Sequence, residues 1–212
     1  MILGAGGHAK VLASLLLLHP QFYLVGFVDD NPTLQGTELL GKPVLGDREW
    51  LLMHRGEFSS LFLGVGSVTV STLRKDLFDW AQVWDFHTPP LVSPAAYIAP
   101  EVQVGKASVI MPRAVLQPGT VVGENVIVNT ASTIDHDCFV GNHVHIAPGC
   151  VLSGGVHVGD SSHLGTGAIV IQGVHIGENT LVGAGAVVVH DLPAGVVALG
   201  VPARVREKNT GG

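Results

Sequence analysis

The sequence predicts a small Rossmann-like α/β domain followed by a parallel β-helix of hexapeptide repeats, and three periodicities carry the second half of that expectation. From Val92 to Val188 every sixth residue is Val, Ile or Leu, seventeen times in succession. From Ile98 onward the residue two before each of these is small or β-branched, from Ala96 and Val102 through Cys138, Val144 and Cys150 to Ala186. Gly105, Gly123, Gly141, Gly159 and Gly177 then recur every eighteen residues. A period of six is neither the 3.6 of a helix nor the simple alternation of a strand, so it marks a solenoid. Three hexapeptides per coil give a triangular prism of about five coils with both apolar sets facing inward. The glycine series is expected at a corner where a residue free of Cβ strain is needed. A sandwich of ordinary strands would show turn signals at irregular spacing instead.

Residues 1–87 have another texture. Ile2-Leu3 leads into Gly4-Ala5-Gly6-Gly7-His8-Ala9-Lys10 and an apolar helix to Leu18, which His19-Pro20 stops. Tyr23–Val28 reads as a strand ending at Asp29-Asp30, and Leu61–Leu63 as another, running through Gly64-Val65-Gly66-Ser67 into a helix over Thr69–Ala81. Gly4 lies close to Met1, so the first strand is expected to be short. Such alternation predicts a parallel sheet whose ligands lie at the C-terminal strand ends. The glycine loop fits G-x-G-x-x-A with an acidic pair about twenty residues on, the dinucleotide fingerprint. Fewer than ninety residues make about half a dinucleotide fold, so a mononucleotide or nucleotide-sugar suits it better. The plainer alternative is that these glycines only make a tight turn; His8 in the first helical turn argues against it. The domain boundary is set at residues 87 and 88, with the prism and its tail filling 88–212.

Composition narrows the classes. The mean hydropathy is positive, yet no apolar run approaches the ~20 residues that span a bilayer. No basic segment precedes an apolar one at the N-terminus, so export is not signalled and the cytoplasm is the expected location. The formal net charge is −6, and Lys and Arg are absent between Arg113 and Arg204 while Glu124, Asp135, Asp137, Asp160, Glu178 and Asp191 are present. A nucleic-acid partner is therefore not expected. A phosphorylated ligand would find its cations at the end of the prism, among Arg204, Arg206 and Lys208, or use backbone N–H groups. Cys138 and Cys150 occupy inward positions and read as buried core thiols.

Among outward residues Asp135-His136-Asp137 stands out. Stacking by eighteen puts Gly154 and Gly155 over His136 and Asp137, with Pro118 and Gly119 beneath, at a coil spacing of about 4.8 Å. The histidine is thus unobstructed, and a neighbouring carboxylate raises its basicity as a general base requires; either Asp135 or Asp137 can reach it. The same rule pairs His145 with His163 and His157 with His175. Paired imidazoles admit a metal reading, against solvated or interface histidines and a ligand contact for His145; no metal site is assigned. His136 is expected midway along one side of the prism and His145 at the end of the next, too far apart in one chain to share a small reactant. They could meet across a subunit boundary, and a prism with few charges on its faces favours a homotrimer.

The glycine loop, Phe27-Val28-Asp29-Asp30, the hexapeptide array, Asp135-His136-Asp137-Cys138 and the closing Gly200-Val201-Pro202-Ala203-Arg204 together resemble the bacterial sugar acyltransferases, the family of sialic acid O-acetyltransferases and nucleotide-amino-sugar N-acetyltransferases. The resemblance covers nearly the whole chain. It implies a left-handed β-helix, a hand that periodicity does not supply, since general topology favours right-handed crossovers. It also implies acetyl transfer from acetyl-CoA in homotrimers with the active site between neighbouring prisms. On that resemblance His136 is the base and Asp137 the acid that raises its basicity. His145, Thr166 and Ala184 match acetyl-CoA contacts, with Arg204 and Arg206 as the available cations. Gly6, Gly7, His8, Asp29, Asp30, Gly64 and Gly66 would hold the nucleotide part of the acceptor. Transfer would be direct, with the inward Cys138 a poor nucleophile. N-acetylation of a nucleotide-linked amino sugar is the leading expectation and O-acetylation of sialic acid or a related sugar its rival. A trimeric zinc carbonic anhydrase and a non-catalytic nucleotide-binding module on a trimerisation stalk are the alternatives from other classes.

Overall fold

The computed structural model describes residues 1–67 and 69–209. The chain divides into two compact units, one of Met1–Gly66 with Asp76–Pro89 and the other of Ser67–Lys75 with Pro90 onward. Ser67–Lys75, which the sequence assigns to the first domain, groups with the prism: Arg74 Nη2 donates to Ala107 O (3.1 Å), and Asn125 Nδ2 donates to Arg74 O (3.4 Å).

In the first unit β1 (Ile2–Leu3), α1 (Gly7–Leu16) and β2 (Phe27–Val28) form a parallel β-α-β unit. A hairpin, β3 (Glu38–Leu39) and β4 (Lys42–Pro43), and a helix, α2 (Arg48–Met53), follow. The Asp47 carboxylate caps α2 by accepting from Trp50 N–H (3.0 Å). Strand β5 (Phe62–Leu63) and helix α3 (Leu73–Val83) from Asp76 onward complete it. The sheet order is β2-β1-β5, all parallel, with Ile2 opposite both Phe27 and Phe62. Ile2, Leu12, Phe27 and Ala81 are fully buried and make its core. The second strand is shorter than Tyr23–Val28 because only Phe27 and Val28 find a partner, and Tyr23 is left 80 % exposed.

The second unit is a three-faced prism of two-residue strands in six-, five- and eight-stranded sheets. Strands pair eighteen residues apart and in parallel, for instance Val115 with Thr133 and His145 with His163. The sixth-residue column from Ile110 to Val188 is buried throughout, as are Cys138 and Cys150, both free thiols. The stack runs to about six turns rather than five, with Val196–Leu199 pairing on beyond the end of the array at Val188.

Corners explain the glycines differently from the expectation. The second residue of every two-residue corner, at six-residue steps from Ala107 to Gly185, has a positive φ; Asp137, for one, stands at 57°. The left-handed region costs a non-glycine residue about 1–2 kcal/mol. The ladder holds it there, with Asp137 N–H donating to Pro118 O (3.0 Å) and Gly155 N–H to His136 O (2.8 Å). Gly105, Gly123, Gly141, Gly159 and Gly177 are not those residues. They come just before one corner, where the next coil approaches: a Cβ on Gly105 would lie 2.5 Å from Gly123 O, and one on Gly159 2.5 Å from Glu178 N.

Candidate active site

His136 and Asp137 are the two residues of a corner between the strands Thr133–Ile134 and Phe139–Val140, not midway along a side. A corner turns both side chains outward. The two acids flanking the ring divide the work: Asp137 Oδ2 accepts from His136 Nδ1 (2.8 Å), while Asp135 Oδ1 accepts from the His136 backbone N–H (2.8 Å). The Asp137 hydrogen bond raises the His136 pKa above the ordinary histidine value, against desolvation, and the charges of Asp135 and Asp137 reinforce it. With its proton on Nδ1, the imidazole keeps a lone pair on Nε2, the form a base needs. Gly154 lies against that atom, and a Cβ there would stand 2.5 Å from Nε2. Cys138 points inward, its Sγ donating to Ser153 O (3.2 Å), and burial pushes its thiol pKa up.

His145 lies beyond the next corner and lines a cavity of about 370 Å³ that also contains Thr166 and Ala184. The structure therefore brings together these three predicted residues and leaves His136 outside their cavity. Asn129 Oδ1 accepts from Thr130 N–H (2.8 Å), which orients the amide so that Nδ2 donates to His145 Nε2 (3.3 Å). The His145 proton then belongs to Nδ1, facing Ser67 Oγ at 3.4 Å. Ser67, Asn129 and His163, all in the cavity wall, are residues the sequence did not single out as a site. Only His163 had left a trace, eighteen residues from His145. Arg204 and Arg206 lie apart from this cavity, exposed on a final strand, Arg204–Lys208, antiparallel to Val196–Leu199. Among the described residues no three His, Cys, Asp or Glu side chains group as metal ligands, and no helix is long and apolar enough to cross a membrane.

In the first unit the predicted ligand residues follow the C-terminal ends of all three strands. Gly4 takes a φ of 104° and donates its N–H to Val28 O (2.7 Å), which turns the chain out of β1. The Asp29 carboxylate accepts from Ala5 N–H (2.7 Å) and Asn31 N–H (2.9 Å), tying the glycine loop to the end of β2. Asp30 pairs with Arg48 Nε (2.7 Å). Gly6 precedes α1 as its cap, and neither Gly6 nor Gly7 has a neighbour where a Cβ would stand, so the helix N-terminus is open. Gly66 backs the His8 ring, whereas Gly64 is needed for packing, since a Cβ there would meet Ile2 Cγ2 at 2.6 Å and Ala9 Cβ at 2.8 Å.

Residues 1–80 match the PglD N-terminal domain family. A solved mutant of perosamine N-acetyltransferase from Caulobacter crescentus, in complex with CoA and GDP-perosamine, is 38% identical over 98% of this chain and 96% of its own, with a TM-score of 0.91. The chain belongs to the hexapeptide-repeat sugar acyltransferases. Two further family members align over nearly their whole length. The acetyltransferase domain of PglB from Neisseria gonorrhoeae FA1090, in complex with acetyl coenzyme A, is 37% identical over 97% of both chains with a TM-score of 0.89. WeeI from Acinetobacter baumannii AYE is 28% identical over 97% of this chain and 98% of its own, with a TM-score of 0.84. None of the curated proteins matches the chain. As a member of this family the chain is an acyltransferase, and its prism is a left-handed β-helix.

Proposed function

We propose that the chain is a cytoplasmic acetyl-CoA-dependent N-acetyltransferase acting on a nucleotide-linked amino sugar, with His136 as general base. The observation that carries this reading is the 2.8 Å bond from His136 Nδ1 to Asp137 Oδ2 at an exposed corner backed by Gly154. Asp137 holds the tautomer, Nε2 takes a proton from the attacking amine, and the amine nitrogen adds to the thioester carbonyl. The tetrahedral intermediate then expels the CoA thiolate, which leaves as the thiol once protonated, and no covalent enzyme intermediate forms. Holding both reactants together supplies the proximity term. An amino sugar is favoured over a hydroxyl acceptor because a relative 38% identical was solved with GDP-perosamine.

For the donor, the cavity of His145, Thr166 and Ala184 supports acetyl-CoA binding, as do relatives solved with CoA and acetyl-CoA. Arg204 and Arg206 are the cations assigned to its phosphates. For the acceptor, the open N-terminus of α1, with Gly6, Gly7 and His8, takes the phosphates, since unpaired N–H groups there attract anions. Asp29 and Asp30, after β2, take the sugar hydroxyls of the nucleotide, with Gly64 and Gly66 at the end of β5. His136 lies outside the donor cavity of its own chain, which supports a site completed by a second copy. The six-stranded face exposes Tyr97, Val151 and Ile169, residues that pairing aligns from coil to coil, and three such faces close around an axis.

The test is thiol release from acetyl-CoA across UDP-, GDP- and dTDP-linked 3-amino and 4-amino sugars, run beside free sialic acid. Turnover with an amino-sugar nucleotide supports the proposal. Turnover with sialic acid alone makes the chain an O-acetyltransferase, and no thiol release with any acceptor favours a binding module.

A further inference from the structure

His163 is 4 % exposed in the wall of the His145 cavity, its ring edge-on to that of His145 with centroids 4.8 Å apart and planes at 74°. The nitrogens of His145 face Ser67 and Asn129. His163 is placed differently, because its buried Nδ1 meets no hydrogen-bond partner among the described residues. A buried N–H without an acceptor is rarer and costlier than an unused lone pair. Nδ1 therefore carries the lone pair and the ring proton belongs to Nε2, the other polar atom of this side chain. Burial also pushes the His163 pKa down to about 4, so near neutral pH the ring offers one donor and no charge. Ala147, Pro148, Leu181 and Val182 make much of the surrounding wall apolar. A wall of this kind, lined by neutral polar groups and no Lys or Arg, suits a neutral chain bearing carbonyl groups and is unsuited to a phosphate.

We propose that His163 Nε2–H donates to a carbonyl oxygen of the acyl-pantetheine arm when acetyl-CoA occupies this cavity, which makes His163 a donor-contacting residue. The inference rests on the acetyl-CoA reading above. Gln and Asn separate the ring positions, since a Gln side-chain amide reaches the place of Nε2 and an Asn amide only that of Nδ1. Calorimetric titration of the whole protein with acetyl-CoA and with CoA is the experiment, for wild type and for His163→Gln, His163→Asn and His163→Leu.

Loss of one neutral hydrogen bond predicts acetyl-CoA binding about tenfold weaker in the Asn and Leu variants, or ~1.4 kcal/mol. The Gln variant should stay within about threefold of wild type, and the KM for the sugar acceptor should not move. A loss shared by CoA assigns an amide carbonyl, and one confined to acetyl-CoA assigns the thioester. Wild-type affinity in both Asn and Leu overturns the contact, as does a Gln variant as weak as Asn, which would make ring packing the cause. Should Leu unfold, the Gln and Asn pair still decides. Failure of the wild type to bind acetyl-CoA at all is a separate result, and it removes the donor reading together with this contact.

Discussion

Gly154→Ala is the sharpest perturbation of the base, because it changes a residue that performs no chemistry. An ideal Cβ at Gly154 stands 2.5 Å from His136 Nε2, 2.6 Å from Cε1 and 3.1 Å from Cδ2. Carbon contacts settle at about 3.5–4.0 Å, so the ring must withdraw by about 1 Å. It can do so only by stretching or breaking the 2.8 Å bond to Asp137 or by turning Nε2 away. A misplacement of that size costs about a hundredfold in rate. The fold should tolerate the change, since Gly154 has no left-handed φ and the obstructed atoms end a half-exposed side chain. Stability should stay within about 0.5 kcal/mol. Gly155→Ala is the matched control: its φ is +68°, but a Cβ there touches nothing nearer than Gly173 Cα at 4.0 Å. It should lower stability by about 1–2 kcal/mol and keep kcat. The assay is thiol release at saturating substrates beside thermal unfolding. Wild-type kcat in Gly154→Ala would refute the claim that the imidazole position sets the rate.

Asp137→Asn replaces the charged acceptor whose hydrogen bond raises the His136 pKa with a neutral amide. Only the neutral ring acts as base, so the acid limb of kcat/KM, which lies above the ordinary histidine value in wild type, should move to lower pH, with plateau kcat down about tenfold; an unmoved limb contradicts this. Asp29→Ala leaves the N–H groups of Ala5 and Asn31 without their carboxylate. Unfolding free energy should drop by about 2–3 kcal/mol, read as a Tm lower by roughly 5–10 °C. Cys138→Ala should retain most of its activity, and the native protein should resist thiol reagents, because both thiols are buried and burial lifts the Cys150 pKa to about 11.

The prism was legible because each coil repeats one environment. The phase of the array placed Gly154 against His136 and paired His145 with His163 without any further information. Its hand was not legible, since periodicity is blind to mirror images. The need for residues without a Cβ near a corner was legible, but its cause was not, because sequence does not separate a positive φ from a close approach of backbone: Asp137 tolerates the first, and Gly105 exists for the second. Ser67 and Asn129 were missed for a related reason. Ser67 belongs to a segment joining the α/β motif to its helix, and nothing in its local pattern announces a packing against the prism. Asp29 was recognised by its position after a strand, but the bond it accepts from Ala5 N–H depends on a loop 24 residues earlier, a separation that no local pattern reports.

The central claim is that His136 is the base of acetyl transfer, and His136→Ala tests it most directly in a thiol-release assay with acetyl-CoA and the best amino-sugar nucleotide. The account predicts kcat lower by about 10²–10⁴-fold, with acetyl-CoA affinity, oligomeric state and Tm unchanged, since the side chain is half-exposed and lies outside the donor cavity of its own chain. Turnover within a few-fold of wild type would contradict it.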